Sequence, residues 1–143
     1  MLTSATISST DVRRDWSSVL DSVLREKPTF IKRTRDYVFL SDMSILESLL
    51  QAYTYSAVKY VEDDGSITIS LDQLDLAENA PSEQEALMNL SSAILNYAED
   101  YYSEFSYWSR GDRKLHIPYV LKALILNDSS KIGGIIECRH GGI

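Results

Sequence analysis

The residues equipped for chemistry are few. His116 and His140 are the two histidines, and Cys138 is the one cysteine. Cys138 and His140 are one residue apart, too close for the usual structural zinc pair, and no second cysteine completes such a site. A Cys/His nucleophile pair would need an orienting group and a shaped pocket, and the pattern supplies neither. Gly-rich phosphate loops, Gly-x-Ser-x-Gly and His-Glu-x-x-His do not occur. Asp63/Asp64 and Glu99/Asp100 are adjacent carboxylates. They read as a hairpin turn and a solvated helix face, because catalytic carboxylates face each other across a site. The expectation is no catalytic residue, no metal and no cofactor, which leaves binding as the favoured class.

Charge is the more informative signal. The net charge of −7 lies entirely in the second half: residues 1–50 hold seven Lys/Arg and seven Asp/Glu, residues 51–143 seven and fourteen. Between Arg13 and Arg35 the chain carries seven basic residues against Asp15, Asp21 and Glu26. A local basic patch on an acidic protein still meets phosphates, because distant charges are screened. The candidate nucleic-acid contacts are Arg13, Arg14, Lys32, Arg33 and Arg35. The acidic half suits a basic partner, with Glu62, Asp63 and Asp64 as candidate contacts. Tyr102 and Tyr107 join them as aromatic residues off the apolar stripe of a helix, where Tyr offers contact area at low entropy cost.

These side chains need elements to position them. Thr3–Ile7 is β-prone, and Ser8-Ser9-Thr10-Asp11 offers a helix N-cap. Val12, Trp16, Val19, Leu20 and Val23 recur at helical spacing, predicting one amphipathic helix that ends near Arg25. Arg13 and Arg14 sit near its start, where the helix dipole disfavours cations unless an anion is met. After Pro28, a strand over Thr29–Arg33, a turn at Thr34-Arg35-Asp36 and a return strand Tyr37–Leu40 form a hairpin with a cationic tip. A small β-α-β-β unit can set that tip beside the helix start. Ser41-Asp42 then caps a helix bearing Ile45, Leu46, Leu49, Leu50 and Tyr53.

The second half restarts with a strand over Ala57–Val61. An acidic turn follows, ending in Gly65, and Ser66–Leu71 returns with apolar residues at period two. Asp72–Asn79 is extended or irregular. Ser82 and Glu85 stand at capping-box spacing before a long helix carrying Leu87, Leu90, Ile94, Tyr97, Ala98, Tyr101, Phe105 and Trp108. Gly111-Asp112 breaks it, and Pro118 opens a short buried helix over Tyr119–Leu126. Asn127–Lys131 reads as a turn, Ile132–Cys138 as a short strand, and Arg139–Ile143 as a loose tail.

The segments Ile-Ser-Ser-Thr-Asp-Val-Arg-Arg-Asp-Trp (7–16), Pro-Thr-Phe-Ile-Lys-Arg-Thr (28–34) and Tyr-Val-Phe-Leu-Ser-Asp-Met (37–43) together resemble the Phd/YefM antitoxin N-terminal domain, over roughly residues 3–53. The resemblance implies a dimer that contacts operator DNA and represses its own operon, with Arg13 and Arg14 at the arginine region of the first helix and Lys32 and Arg33 at the basic hairpin tip. Where that family has glycine in the turn, this sequence has Thr34-Arg35-Asp36. Residues 56–97, with the acidic hairpin and the helix opening Ser-Glu-Gln-Glu-Ala, look like the start of a HicB-type antitoxin domain. That likeness implies a domain that blocks an RNA-cleaving toxin.

The sequence thus leads to an α+β protein of two modules. Residues 1–53 form a β-α-β-β-α module for dimerisation and DNA binding. Residues 54–143 form an acidic α+β module, with a β-hairpin and a long helix, that binds a small basic toxin. No secretory signal or spanning segment is expected, which places the chain in the cytoplasm with no membrane partner. Two alternatives stand beside the antitoxin: an interaction module whose first half only dimerises, and an RNA-processing or hydrolytic enzyme built on the acidic residues of 62–85.

Overall fold

The computed structural model describes residues 5–141; Thr3 and Ser4 of the expected first strand, and Gly142 and Ile143 of the expected tail, lie outside it. The chain is α+β and folds as two units, Met1–Leu49 and Leu50–Ile143.

In the first unit β1 (Thr6–Ser8) runs parallel to β2 (Thr29–Arg33), which pairs antiparallel with β3 (Asp36–Leu40). Ser8 ends the strand and caps the helix: its hydroxyl accepts the Asp11 N–H at 3.1 Å. The single helix expected as far as Arg25 is two helices, α1 (Ser9–Arg14) and α2 (Trp16–Arg25). The break is at Asp15, whose φ of −113° and ψ of 34° leave the helical region. The stripe is redirected by that break. Val12 and Val23 are buried and Val19 and Leu20 half-buried, but Trp16 is 49% exposed.

Arg33 pairs with Asp36, so the β2–β3 loop is the two residues Thr34 and Arg35. Thr34 has φ +56°. A positive φ at a loop position is the left-handed region, which favours glycine there. α3 (Met43–Leu50) follows, with the Asp42 carboxylate accepting the Ser44 N–H at 3.3 Å. Tyr53 lies beyond the end of α3. Leu50–Tyr53 belong to the second unit, in which Lys122 Nζ donates to the carbonyls of Leu50 (3.3 Å) and Tyr53 (2.6 Å).

The second unit holds a four-stranded sheet in the order β6-β5-β4-β7. β4 (Ser56–Val61) and β5 (Ile67–Leu71) form the expected hairpin. Its turn closes when Gly65, at φ +85°, donates to the Glu62 carbonyl at 2.9 Å. β6 (Ala77–Ala80) organises the end of the stretch expected to be extended or irregular, pairing antiparallel with β5. α4 (Glu83–Ser103) is capped by Ser82, whose hydroxyl accepts the Glu85 N–H at 3.2 Å. It ends before Phe105. The backbone turns at Glu104, and Phe105–Trp108 make a separate short helix, α5. A 3₁₀ turn over Gly111–His116 leads to α6 (Ile117–Leu126), which has Pro118 in its first turn and Asn127 left-handed at its end.

The last segment differs most from expectation. Asn127–Lys131 is not merely a turn, and Ile132 does not begin a strand: α7 spans Ser129–Ile135. Asp128 starts it, its carboxylate accepting the N–H groups of Ser130 (2.8 Å) and Lys131 (3.3 Å). Gly133 lets α7 approach α4, for a Cβ there would stand 2.7 Å from Ser91 Oγ. Nor are Arg139 and His140 a loose tail. They belong to β7 (Glu137–His140), which pairs parallel with β4 from Ser56↔Glu137 to Lys59↔His140. Arg139 adds a two-pronged ion pair to Asp72, at 2.7 and 3.2 Å. α4 packs across β5 and β6, and α6 and α7 pack on α4. Between sheet and helices lies one core of buried residues, including Tyr55, Ile69, Leu74, Leu90, Ile94, Tyr101, Val120 and Ile132.

Candidate functional site

The strand register determines what becomes of the basic cluster. Ser8 is paired with Lys32. The residue that caps α1 therefore stands beside the residue that leads into the hairpin tip, and the helix start and the tip are neighbours. Between them runs a groove of about 830 Å³ lined by Thr6–Thr10, Arg13 and Lys32–Thr34. Three of the five expected cations, Arg13, Lys32 and Arg33, line it. Ser8, Ser9 and Thr10, whose sequence position reads as a helix cap, line it as well. Cations beside hydroxyl-bearing residues suit phosphate oxygens.

The other two cations are placed differently. Arg14 turns back along its own helix, 3.0 Å from Asp11 and 3.6 Å from Asp15. Both of its pairs are exposed, so each contributes little and competes weakly with another anion. Arg35 is the second residue of the hairpin loop, exposed beyond the groove. Lys32 Nζ lies 5.8 Å from the centre of the Tyr37 ring, which steadies its long side chain on that strand.

This unit also exposes much apolar surface. Leu24, Val38, Phe39, Met43 and Leu49 join Trp16 among its exposed large hydrophobics, while Val12, Val23 and Ile31 are its buried ones among the described residues. So thin a core is small for a free-standing unit of this length.

In the second unit the five expected contacts fall into two groups. Glu62, Asp63 and Asp64 are all exposed at the β4–β5 turn. Asp64 is engaged within the turn itself. Its carboxylate accepts the Ser66 N–H (2.9 Å) and hydroxyl (2.6 Å), and these bonds hold its pKa below the usual carboxylate value. Glu62 and Asp63 are the carboxylates left to meet a partner. The turn lies at the end of the sheet where α4 begins, since Ile67 pairs with Ala80. Tyr102 is at the far end of α4, about 30 Å away at 1.5 Å per residue. The acidic turn and the tyrosines are thus separate patches.

Tyr102 and Tyr107 are both exposed, as expected of residues off the stripe. Tyr107 has company that the spacing did not reveal. Its ring meets the Trp108 ring edge-on at 5.6 Å, and the guanidinium of Arg113 lies 5.3 Å from the Tyr107 centroid and 4.7 Å from that of Trp108. Arg110 lies 5.9 Å from the same Tyr107 ring. The 3₁₀ turn after Gly111 brings Arg113 back over the aromatic residues, and no periodicity signals that return.

His116 is buried. Its Nδ1 is 2.7 Å from the Tyr97 hydroxyl and its Nε2 is 3.8 Å from Asp75. Burial lowers its pKa, outweighing the upward pull of Asp75, so the imidazole favours its neutral form. Cys138 and His140 lie exposed on β7, and partial desolvation with the nearby Glu83 raises the thiol pKa, which disfavours a nucleophilic thiolate. Among the described residues no group of three or more His, Cys, Asp and Glu could hold a metal ion. The carboxylates of 62–85 serve separate ends: Asp64 closes a turn, Asp72 holds Arg139 and Ser56, and Glu83 pairs with Lys59 at 3.0 Å. No described helix is long and apolar enough to cross a membrane.

Comparison with known proteins converges on one class. Residues 1–138 match the family model described as PHD-like, an antitoxin of RelE/RelB toxin-antitoxin systems. The match crosses both units, so one antitoxin family extends over the segment likened above to HicB domains. Among solved structures, the chain is similar to an antitoxin part of a proposed toxin/antitoxin system from Syntrophomonas wolfei subsp. wolfei. The two share 34% identity with a TM-score of 0.88, over 95% of this chain and 99% of that one. No curated protein matches the sequence.

Proposed function

The chain belongs to the PHD-like family of RelE/RelB-system antitoxins, and we propose that it acts as a homodimer whose first unit binds operator DNA while its second unit occupies a small, basic, RNA-cleaving toxin. The protein works by occupancy, not catalysis, in the cytoplasm. The observation that carries the DNA half is the groove that gathers Arg13, Lys32 and Arg33 with Ser8, Ser9 and Thr10 in one lining. Phosphate contacts of this kind give affinity and register, and exposed groups such as Arg35 at the tip are left to reach base edges. Dimerisation is supported by the apolar residues that the first unit exposes around a core too small to stand alone. The acid excess of the second unit, presented at Glu62 and Asp63, complements a basic toxin and steers its approach.

The test is fluorescence anisotropy of the full chain on a duplex taken from upstream of its own gene, over a salt series. Affinity falls steeply with salt, and Arg13→Ala and Lys32→Ala each weaken binding and flatten the slope by about one unit per lost phosphate contact. Arg14→Ala, which removes a locally paired arginine, has a smaller effect. Unchanged binding in both groove variants would sink the site. Sedimentation of the free protein as a monomer at micromolar concentration would sink the dimer.

A further inference from the structure

The acidic unit carries one basic cluster that lies outside both the basic groove and the acidic turn. Of its seven Lys/Arg, Arg110, Arg113 and Lys114 fall within five residues, interrupted only by Gly111 and Asp112. We propose that Arg113, held against the Tyr107 and Trp108 rings, is the anchor of the toxin-binding surface and that it takes a carboxylate of the toxin. The proposal rests on the antitoxin reading and deepens it. It places the strongest contact with a basic toxin on a cation of this chain, away from the acidic turn.

Three observations support it. The Arg113 guanidinium lies over two rings that meet edge to face, an arrangement that orients the fork and lowers the entropy lost when it binds. Its donors make no ion pair and no side-chain hydrogen bond among the described residues, so an oriented guanidinium is left with its bonding edge unused. A planar fork of donors matches a carboxylate in two parallel bonds. Tyr107 is itself exposed, and Arg110 shares its ring. Tyr, Trp and Arg are the residues in which interface energy concentrates.

A carboxylate is favoured over a nucleic-acid phosphate by the rest of the unit. Its excess of acidic over basic residues repels a polyanion, whereas a mainly basic protein with one acidic side chain meets Glu62 and Asp63 favourably and still supplies a partner for Arg113. The hydrogen bond that holds the turn does not use that guanidinium. The bond that pins the 3₁₀ turn runs from the Tyr101 hydroxyl to the Arg113 main-chain carbonyl at 2.7 Å, and a side-chain substitution leaves it in place.

The experiment titrates the full chain and its Arg113→Ala, Arg113→Lys and Tyr107→Ala variants with the toxin encoded in the same operon, by calorimetry, with circular dichroism to verify folding. The expected result is a Kd weakened about 30-fold or more by Arg113→Ala. Arg113→Lys rescues it poorly, since Lys lacks the planar fork, and a single Asp→Arg or Glu→Arg change in the toxin abolishes the difference between wild type and Arg113→Ala. Wild type and Arg113→Ala binding within threefold of each other would overturn the anchor while leaving the antitoxin reading intact. Loss of affinity for a fluorescent single-stranded RNA, with toxin binding unchanged, would overturn it in favour of nucleic acid. A wild-type chain that does not bind the toxin would overturn both.

Discussion

The approach of α7 to α4 at Gly133 invites a substitution whose sign depends on its neighbour. In Gly133→Ala the new Cβ lies 2.7 Å from Ser91 Oγ and 3.6 Å from Ser91 Cβ. The hydroxyl cannot swing aside freely, because it donates to the Leu87 carbonyl at 2.7 Å and Ser91 is only 2% exposed. Overpacking of this kind costs about 1–3 kcal/mol, and Ala in place of Gly in a helix returns about 0.5–1 kcal/mol. The net expectation is a loss of about 1–2 kcal/mol. Ser91→Ala removes the obstructing oxygen and leaves an ordinary 3.6 Å contact. In that background Gly133→Ala becomes stabilising by about 0.5–1 kcal/mol, since only the helix gain remains. The two residues are then coupled by about 2 kcal/mol. Urea unfolding followed by Trp108 fluorescence, with Trp16→Phe to silence the other unit, measures all four corners of the cycle. An equal effect of Gly133→Ala in both backgrounds would refute the close approach, and with it the packing of α7 on α4.

Other consequences are open to measurement. Thr34→Gly relieves a β-branched residue at φ +56°; the relief of about 1–2 kcal/mol exceeds the chain-entropy cost of Gly, about 0.5–1 kcal/mol, so the melting temperature of the first unit rises, and a fall would contradict the left-handed backbone at Thr34. Asp128→Ala removes the cap of α7 and costs about 1 kcal/mol, readable as faster hydrogen exchange over residues 129–135. His116 has its pKa lowered by burial. Its unfolded form binds a proton first on acidification, so the stability it contributes is full above about pH 6.5 and is lost as pH falls through that value toward the folded pKa. Unfolding midpoints at pH 7.5 and 5.5 differ less in His116→Gln than in wild type. Equal differences would mean that the imidazole does not titrate with folding.

Much of the fold is legible where a local rule acts alone. Ser8 and Ser82 cap the helices their positions announce, Gly65 closes the acidic hairpin, and Pro118 opens α6, because caps and turns are decided within a few residues. The failures come from tertiary contact. A Gly-Gly pair inside Ser129–Ile135 argues against a helix on propensity, yet the glycine is what the approach to Ser91 requires. Arg139 and His140 look like tail residues until β4 supplies the partner strand. Apolar spacing runs through Asp15 and Glu104 without registering that the backbone leaves the helix at both. At the candidate site, composition identified the cations and the exposed tyrosines. The Ser8↔Lys32 register that aligns the groove, and the turn that lays Arg113 on Tyr107 and Trp108, are products of pairing and chain reversal that no sequence period encodes.

The parallel pairing of β7 with β4 also sets an order in time. Every strand of the first unit's sheet has emerged once Leu40 is synthesised, whereas β4 gains its second neighbour only when Glu137–His140 arrive. Pairing Ser56 with Glu137 closes a long loop, and such contacts form late and slowly. On a growing chain, all three strands that frame the basic groove are therefore available while the acidic half still has an open sheet edge beside β4.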